Sequence, residues 1–187
     1  MSKATTISFQ ELRQFPDLLT LSEESLNALS KVLLPIKVEA QEVLHPYGGT
    51  EKYYFLLRTG SIEIKTKMLG IEVLLRTVEE RESFGQGALV GSGKNLSFIA
   101  KEASTLFVLP SYTHALAIEQ GAQWALSLQK TICFQVVQQM RITLKQLRSL
   151  ATAEQERISE YNEKDLLDIL KKTEISTGSF VEESPAR

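Results

Sequence analysis

The chain has 187 residues, 43% hydrophobic and 24% charged, with a formal net charge of -2 and one cysteine. That size makes one domain, or one domain with a long appendage, and supplies enough apolar residues for a core. The charge balance argues against a dedicated nucleic-acid binder, the apolar runs are too short to cross a bilayer, and one cysteine forbids an internal disulfide.

The opening MSKATTISFQ lacks the apolar stretch of a secretory signal, so a cytoplasmic setting is expected and no membrane partner. Ser8 and Glu11 have capping-box spacing, with Ile7 and Leu12 placed to pack as a staple, which predicts a short first helix. Pro16 interrupts it. Ser22, followed by Glu23 and Glu24, offers a second cap for a helix carrying Leu26, Leu29, Val32 and Leu33. Residues 1–34 are read as a helical lead-in.

From Pro35 the period changes. Short runs rich in Val, Ile, Leu, Tyr and Phe alternate with turn residues through residue 110, which predicts a compact β-fold. The candidate strands are IKV, EVLHPY, YYFLLRTGSIEIKT, IEVLLRTV, NLSFIAK and TLFVLP. Gly60 breaks the longest of them, where a bend or bulge is expected. Leading into and including the fifth run is FGQGALVGSGKNLSFIAK, with four glycines inside ten residues.

Residues 111–161 read as one long helix or two, with no glycine or proline between Ala122 and Glu174. Leu126, Cys133, Val137, Met140, Leu144, Leu147, Ala151, Ile158 and Tyr161 recur on three- and four-residue steps, a seam of the coiled-coil type. Either this face packs on the chain's own β-domain, or part of it meets a partner. Cys133 is read as a small apolar residue of the helix rather than a reactive thiol. Residues 162–187 read as a short helix through LLDILKK and a polar tail from Glu174.

This order of parts resembles the cyclic-nucleotide-binding domain family, which includes the catabolite activator proteins and the regulatory subunits of protein kinase A. The resemblance covers roughly Phe15 to Leu150 and rests on EVLHPYGGTEKYYFLLRTGSIEI and FGQGALVGSGKNLSFIAK. It implies an α+β fold: an antiparallel β-roll of jelly-roll type with N-terminal helices and a long C-terminal dimerisation helix. It also implies that the glycine-bearing segment is similar to the family's phosphate-binding cassette. There, backbone N–H groups of a short helix, an arginine and a glutamate hold a cyclic nucleotide.

Carried onto this chain, Phe84, Gly85, Ala88 and Leu89 match the cassette, and Gly85 and Gly87 let backbone approach a ligand. Gln86 stands where the family has its glutamate. Lys94 falls at the arginine position if the apolar alternation of Leu96, Phe98 and Ala100 is kept in register; keeping the common cassette length puts Asn95 there instead. Ser97 matches a small hydroxyl residue. Gln138 and Gln139 lie about where the family contacts the purine, and Cys133, Val137, Met140, Leu144 and Leu147 fall on the helix through which it dimerises. Losing a charged glutamate and a bidentate arginine removes contacts worth roughly 1–3 kcal/mol each.

No other chemistry is signalled. His45 and His114 are the only histidines, three aspartates (Asp17, Asp165, Asp168) sit in helical ends, and no G-x-S-x-G occurs, so neither metal nor enzymatic activity is expected. Too few residues follow the long helix for a helix-turn-helix domain, so no DNA binding by this chain alone is expected. The reading is a non-enzymatic regulatory or signalling protein, a homodimeric interaction module with weakened, altered or lost nucleotide binding and a protein partner. It requires no cofactor, cAMP or cGMP being the candidate ligand. The alternative is a genuine cAMP or cGMP sensor that signals through its C-terminal helix.

Overall fold

A computed structural model describes residues 7–91 and 95–177. The lead-in consists of α1 (Phe9–Leu12), a 3-10 turn over Pro16–Leu18 and α2 (Glu23–Ser30). Ser8 caps α1 by accepting from the Glu11 N–H at 3.2 Å, and Ser22 caps α2 by accepting from the Ser25 N–H at 3.2 Å. Ile7 and Leu12 are both buried, as the staple requires. The second helix stops at Ser30, earlier than its apolar spacing suggests. Leu33 enters the core from the turn that follows, and strand pairing already begins at Leu34.

Eight strands follow: β1 (Leu34–Val38), β2 (Val43–His45), β3 (Tyr53–Thr59), β4 (Ile62–Met68), β5 (Ile71–Val78), β6 (Ser83–Phe84), β7 (Ser97–Ala100) and β8 (Ser104–Pro110). They form two antiparallel four-stranded sheets, ordered β1-β8-β3-β6 and β2-β7-β4-β5. All six expected runs contain strands, although EVLHPY pairs only as far as His45, since Pro46 has no N–H to donate. β6 is too short to show as a periodic run and is held by pairing Phe55 with Phe84 and Leu56 with Ser83.

β3 and β8 are buried on both faces, and their alternation divides the core in two. Phe55, Leu57, Leu106 and Val108 face the space between the sheets, with Ile62, Ile64, Phe84 and Phe98. Tyr54, Leu56, Phe107 and Leu109 face outward and are covered by Leu12, Phe15, Leu18, Leu26 and Leu29 of the lead-in and by Ala125, Leu128 and Ile132. Gly60 makes the expected bend with φ +98°; an added Cβ there would lie 2.8 Å from the Ser104 Cβ.

Two helices complete the chain: α4 (Ser111–Glu119) and α5 (Gln123–Thr177). α5 continues through Asn162, where a helix could restart or continue, and past Glu174, because no glycine or proline interrupts its backbone before Gly178. The expected tail from Glu174 is thus helical as far as Thr177, and the remainder of the tail lies outside the described residues. The chain divides into two compact units, Met1–Val136 and Val137–Arg187. Among the described residues, no helix is long and apolar enough to cross a membrane.

Candidate functional site

Phe84 fixes the start of the cassette. Its ring is fully buried, stacks on Phe55 with centroids 4.8 Å apart, and meets Phe98 edge-on at 5.3 Å. The next residue turns the chain at φ +75°, where a Cβ would sit 2.6 Å from the Tyr53 carbonyl oxygen, so only glycine fits at 85. A single helical turn, α3 (Gly87–Val90), follows and ends at Gly91 in the left-handed region. Ala88 N–H closes on the Gly85 carbonyl at 3.1 Å and Leu89 N–H on the Gln86 carbonyl at 3.0 Å. Leu89 packs against the outer core.

Gln86 occupies the cap position of α3 but does not cap it. Its Nε2 turns back on Ser83, 3.4 Å from the carbonyl oxygen and 3.3 Å from Oγ. On the far side of the segment, Asn95 is exposed and its carbonyl accepts from the Thr66 hydroxyl at 2.7 Å. Lys94 lies outside the described residues. Ser97 opens β7 and is buried with its hydroxyl unpartnered, while Phe98 and Ala100 face the inter-sheet core with Leu96 packed against it.

Glu51, just ahead of β3, was not singled out by sequence. Its side chain is only 7% exposed, Oε2 has no hydrogen-bond partner, and the carboxylate faces the Ala88 N–H in α3. Burial pushes its carboxyl up to about 7, against the opposing pull of that N–H. The only cue in the sequence is an acidic residue two places before an apolar strand. His45, buried against Phe98 at 5.2 Å, and His114, whose Nε2 lies 3.3 Å from the Ala125 carbonyl, are both lowered by burial. Among the described residues, no group of three or more His, Cys, Asp or Glu could hold a metal.

A second polar group that the sequence did not reveal leads away from the cassette. Ser83 donates its hydroxyl proton to Asp17 Oδ2, and Asp17 Oδ1 accepts from Gln135 Nε2 of α5 at 2.9 Å. Close by, Thr20 and Thr131 hydroxyls are 2.9 Å apart. The Tyr54 phenol, fully buried near Ser83 and Asp17, makes no well-formed hydrogen bond and is raised chiefly by burial.

The root of α5 packs Trp124, Ala125, Leu128 and Ile132 into the outer core. Within the same stretch, Leu126 and Cys133 of the seam fall roughly a third of a turn away around the helix. Both are exposed, so the seam is not the face of this stretch that packs on the roll; Val137, Met140, Leu144 and Leu147, in the second compact unit, are exposed too, as is every residue from 139 to 157. Gln138 is half-buried and Gln139 exposed; both belong to the second compact unit.

No protein-family model matches this chain, and no curated protein matches it either. Solved structures do. The chain is similar to the catabolite activator protein of Thermus thermophilus (17% identity, TM-score 0.64, covering 73% of this chain and 63% of that one). It is also similar to a cyclic nucleotide-binding domain from Methylobacillus flagellatus (12% identity, TM-score 0.64, covering 74% and 83%). A further likeness is to the regulatory subunit of a cAMP-independent protein kinase A from Trypanosoma cruzi, bound to guanosine (15% identity, TM-score 0.53, covering 55% and 38%). The chain spans less than two thirds of the length of the first and last of these. With two four-stranded sheets, a helical lead-in, a glycine-bearing turn and α3 between β6 and β7, and a long C-terminal helix, the chain has the β-roll fold of cyclic-nucleotide-binding domains.

Proposed function

We propose that this chain is a non-enzymatic regulatory module that pairs with a second copy through the α5 seam, offers the pair to a protein partner, and binds cyclic nucleotides weakly or not at all. The observation that carries the reading is the division of labour on α5. Ala125, Leu128 and Ile132 near its start are consumed by the chain's own core, while Val137, Met140, Leu144 and Leu147, in the second compact unit, remain exposed. An apolar stripe of that length is costly in water, and a symmetric copy of itself is the simplest cover.

The cassette supports the second half of the reading. The Glu51 carboxylate faces the Ala88 N–H, so an anionic phosphate brought there would meet a carboxylate or require its protonation. Gln86, in the position of the family's glutamate, is engaged with Ser83. The neighbour from Trypanosoma cruzi, cAMP-independent and bound to guanosine, is a precedent for this fold without cAMP control. A sensor of cAMP or cGMP remains the second reading, favoured by the retained glycine turn at Gly85 and the α3 turn after it. In that reading Lys94 or Asn95 meets the phosphate, Ser97 assists, and Gln138 and Gln139 face the base. Calorimetric titration with cAMP, cGMP and guanosine, run beside sedimentation of the full chain, tests both halves: sub-micromolar cAMP affinity overturns the first reading, and a monomer at micromolar concentration removes the dimer.

A further inference from the structure

We propose that Ser83 and Asp17 form a latch that ties the cassette to the root of α5, and that withdrawing the Gln86 amide from Ser83 loosens that root. The parts are contiguous. Gln86 Nε2 donates to Ser83 Oγ at 3.3 Å, Ser83 Oγ donates to Asp17 Oδ2, and Asp17 Oδ1 accepts from Gln135 Nε2 at 2.9 Å. Three segments far apart in sequence therefore share one carboxylate: the lead-in, the cassette strand and α5.

The geometry makes the links interdependent. Ser83 Oγ accepts from Gln86 while it donates to Asp17, and a hydroxyl that accepts a hydrogen bond becomes a stronger donor. Asp17 cannot follow a departing partner far, since Phe15 and Leu18 on either side of it are fully buried. Among the described residues Gln135 has no other anchor: its Oε1 is buried and unpartnered, and its amide donates only to Asp17, to Oδ1 and, at 3.4 Å, to the carbonyl. One turn earlier on the same face of α5, Thr131 meets Thr20 at 2.9 Å, giving the lead-in a second grip on the helix. The Ser83 carbonyl is held independently by Arg76 at 3.2 Å, so losing Gln86 frees the Ser83 hydroxyl without releasing its backbone.

The latch is built entirely from this chain's own side chains. It rests on the proposed function only in the clause that a ligand hydroxyl, recruiting the Gln86 amide, is what releases it. Hydrogen exchange on the full chain reads it directly. Gln86→Ala is expected to speed exchange of α5 amides at 131–136 about threefold to tenfold, although it touches none of them, and to do so no longer when Ser83→Ala is already present. In a stability cycle, Gln86→Ala and Gln135→Ala are expected to be non-additive by a similar factor. Asp17→Asn, which keeps the shape, provides a variant milder than truncation and is expected to reproduce the exchange at 131–136. Faster exchange confined to residues 84–91, with Gln86 and Gln135 additive, overturns the latch. Repeating the cycle in Leu144→Glu separates the two ideas, because loss of the dimer removes the proposed function while the latch must persist.

Discussion

The carboxylate of Glu51 faces the backbone N–H of Ala88, buried at the turn where the cassette begins. Its carboxyl is held at about 7 rather than 4.5, so the folded chain keeps a proton that the unfolded chain has released. That contribution to stability is full below about pH 4.5 and is lost as pH rises through about 7. Glu51→Gln is therefore expected to match the wild type near pH 4.5 and to exceed it by roughly 1–3 kcal/mol at pH 8. Denaturant melts across this range check it. His45 and His114, lowered by burial, contribute stability that is lost as pH falls below 6.5, but they act equally in both proteins and cancel in the difference. Parallel curves for the two proteins sink the assignment.

The same carboxylate sets the expected response to ligand. Wild-type protein at pH 8 should show no sub-micromolar calorimetric signal with cAMP, and Glu51→Gln should raise cAMP affinity by about tenfold as the repelling charge disappears. Lys94→Ala should abolish whatever affinity Glu51→Gln gains. If Lys94→Ala changes nothing, the phosphate contact belongs to Asn95 or elsewhere.

Glycine at 85 and glycine at 91 both have positive φ, yet their surroundings differ. A Cβ at Gly85 would press on the Tyr53 carbonyl at 2.6 Å, whereas one at Gly91 would meet nothing within 4 Å. Gly91→Ala should cost about 1 kcal/mol of backbone strain, and Gly85→Ala distinctly more, roughly 2–4 kcal/mol, because the strand must also shift. Urea midpoints of the two variants decide it, and equal losses would contradict the close approach.

Leu128 and Leu144 lie on α5 with opposite surroundings, one fully buried in the outer core and the other 54% exposed. Leu128→Ala should lower stability by about 2–5 kcal/mol. Leu144→Glu should leave the melt of the β-roll nearly unchanged and shift sedimentation from dimer to monomer. A dimer that survives Leu144→Glu argues for a different interface.

Much of the fold was written in local patterns. Short apolar runs bounded by turn residues marked all six longer stretches that hold strands, Ser8 and Ser22 announced their caps, and Gly60 and Gly85 stood where the chain takes positive φ. These follow from the sequence because capping, pleat and φ are properties of a few consecutive residues. β6 was invisible because two residues carry no period. The stop of α2 at Ser30 was invisible because Leu33 is buried from a turn and mimics a helical face.

What only the tertiary structure decided is which distant groups meet. Glu51 is an ordinary acidic residue until folding removes it from water beside Ala88, and Asp17 an ordinary helix-end aspartate until Ser83 and Gln135 arrive from 66 and 118 residues away. The sequence showed one apolar seam on the long helix and left open whether the roll or a partner would cover it; the stripe of Ala125, Leu128 and Ile132 that the roll takes was not read from it. That choice was made by packing: the core needed Ala125, Leu128 and Ile132 on one line against the lead-in, and Leu126 and Cys133 of the seam were left exposed on another side of the same helix.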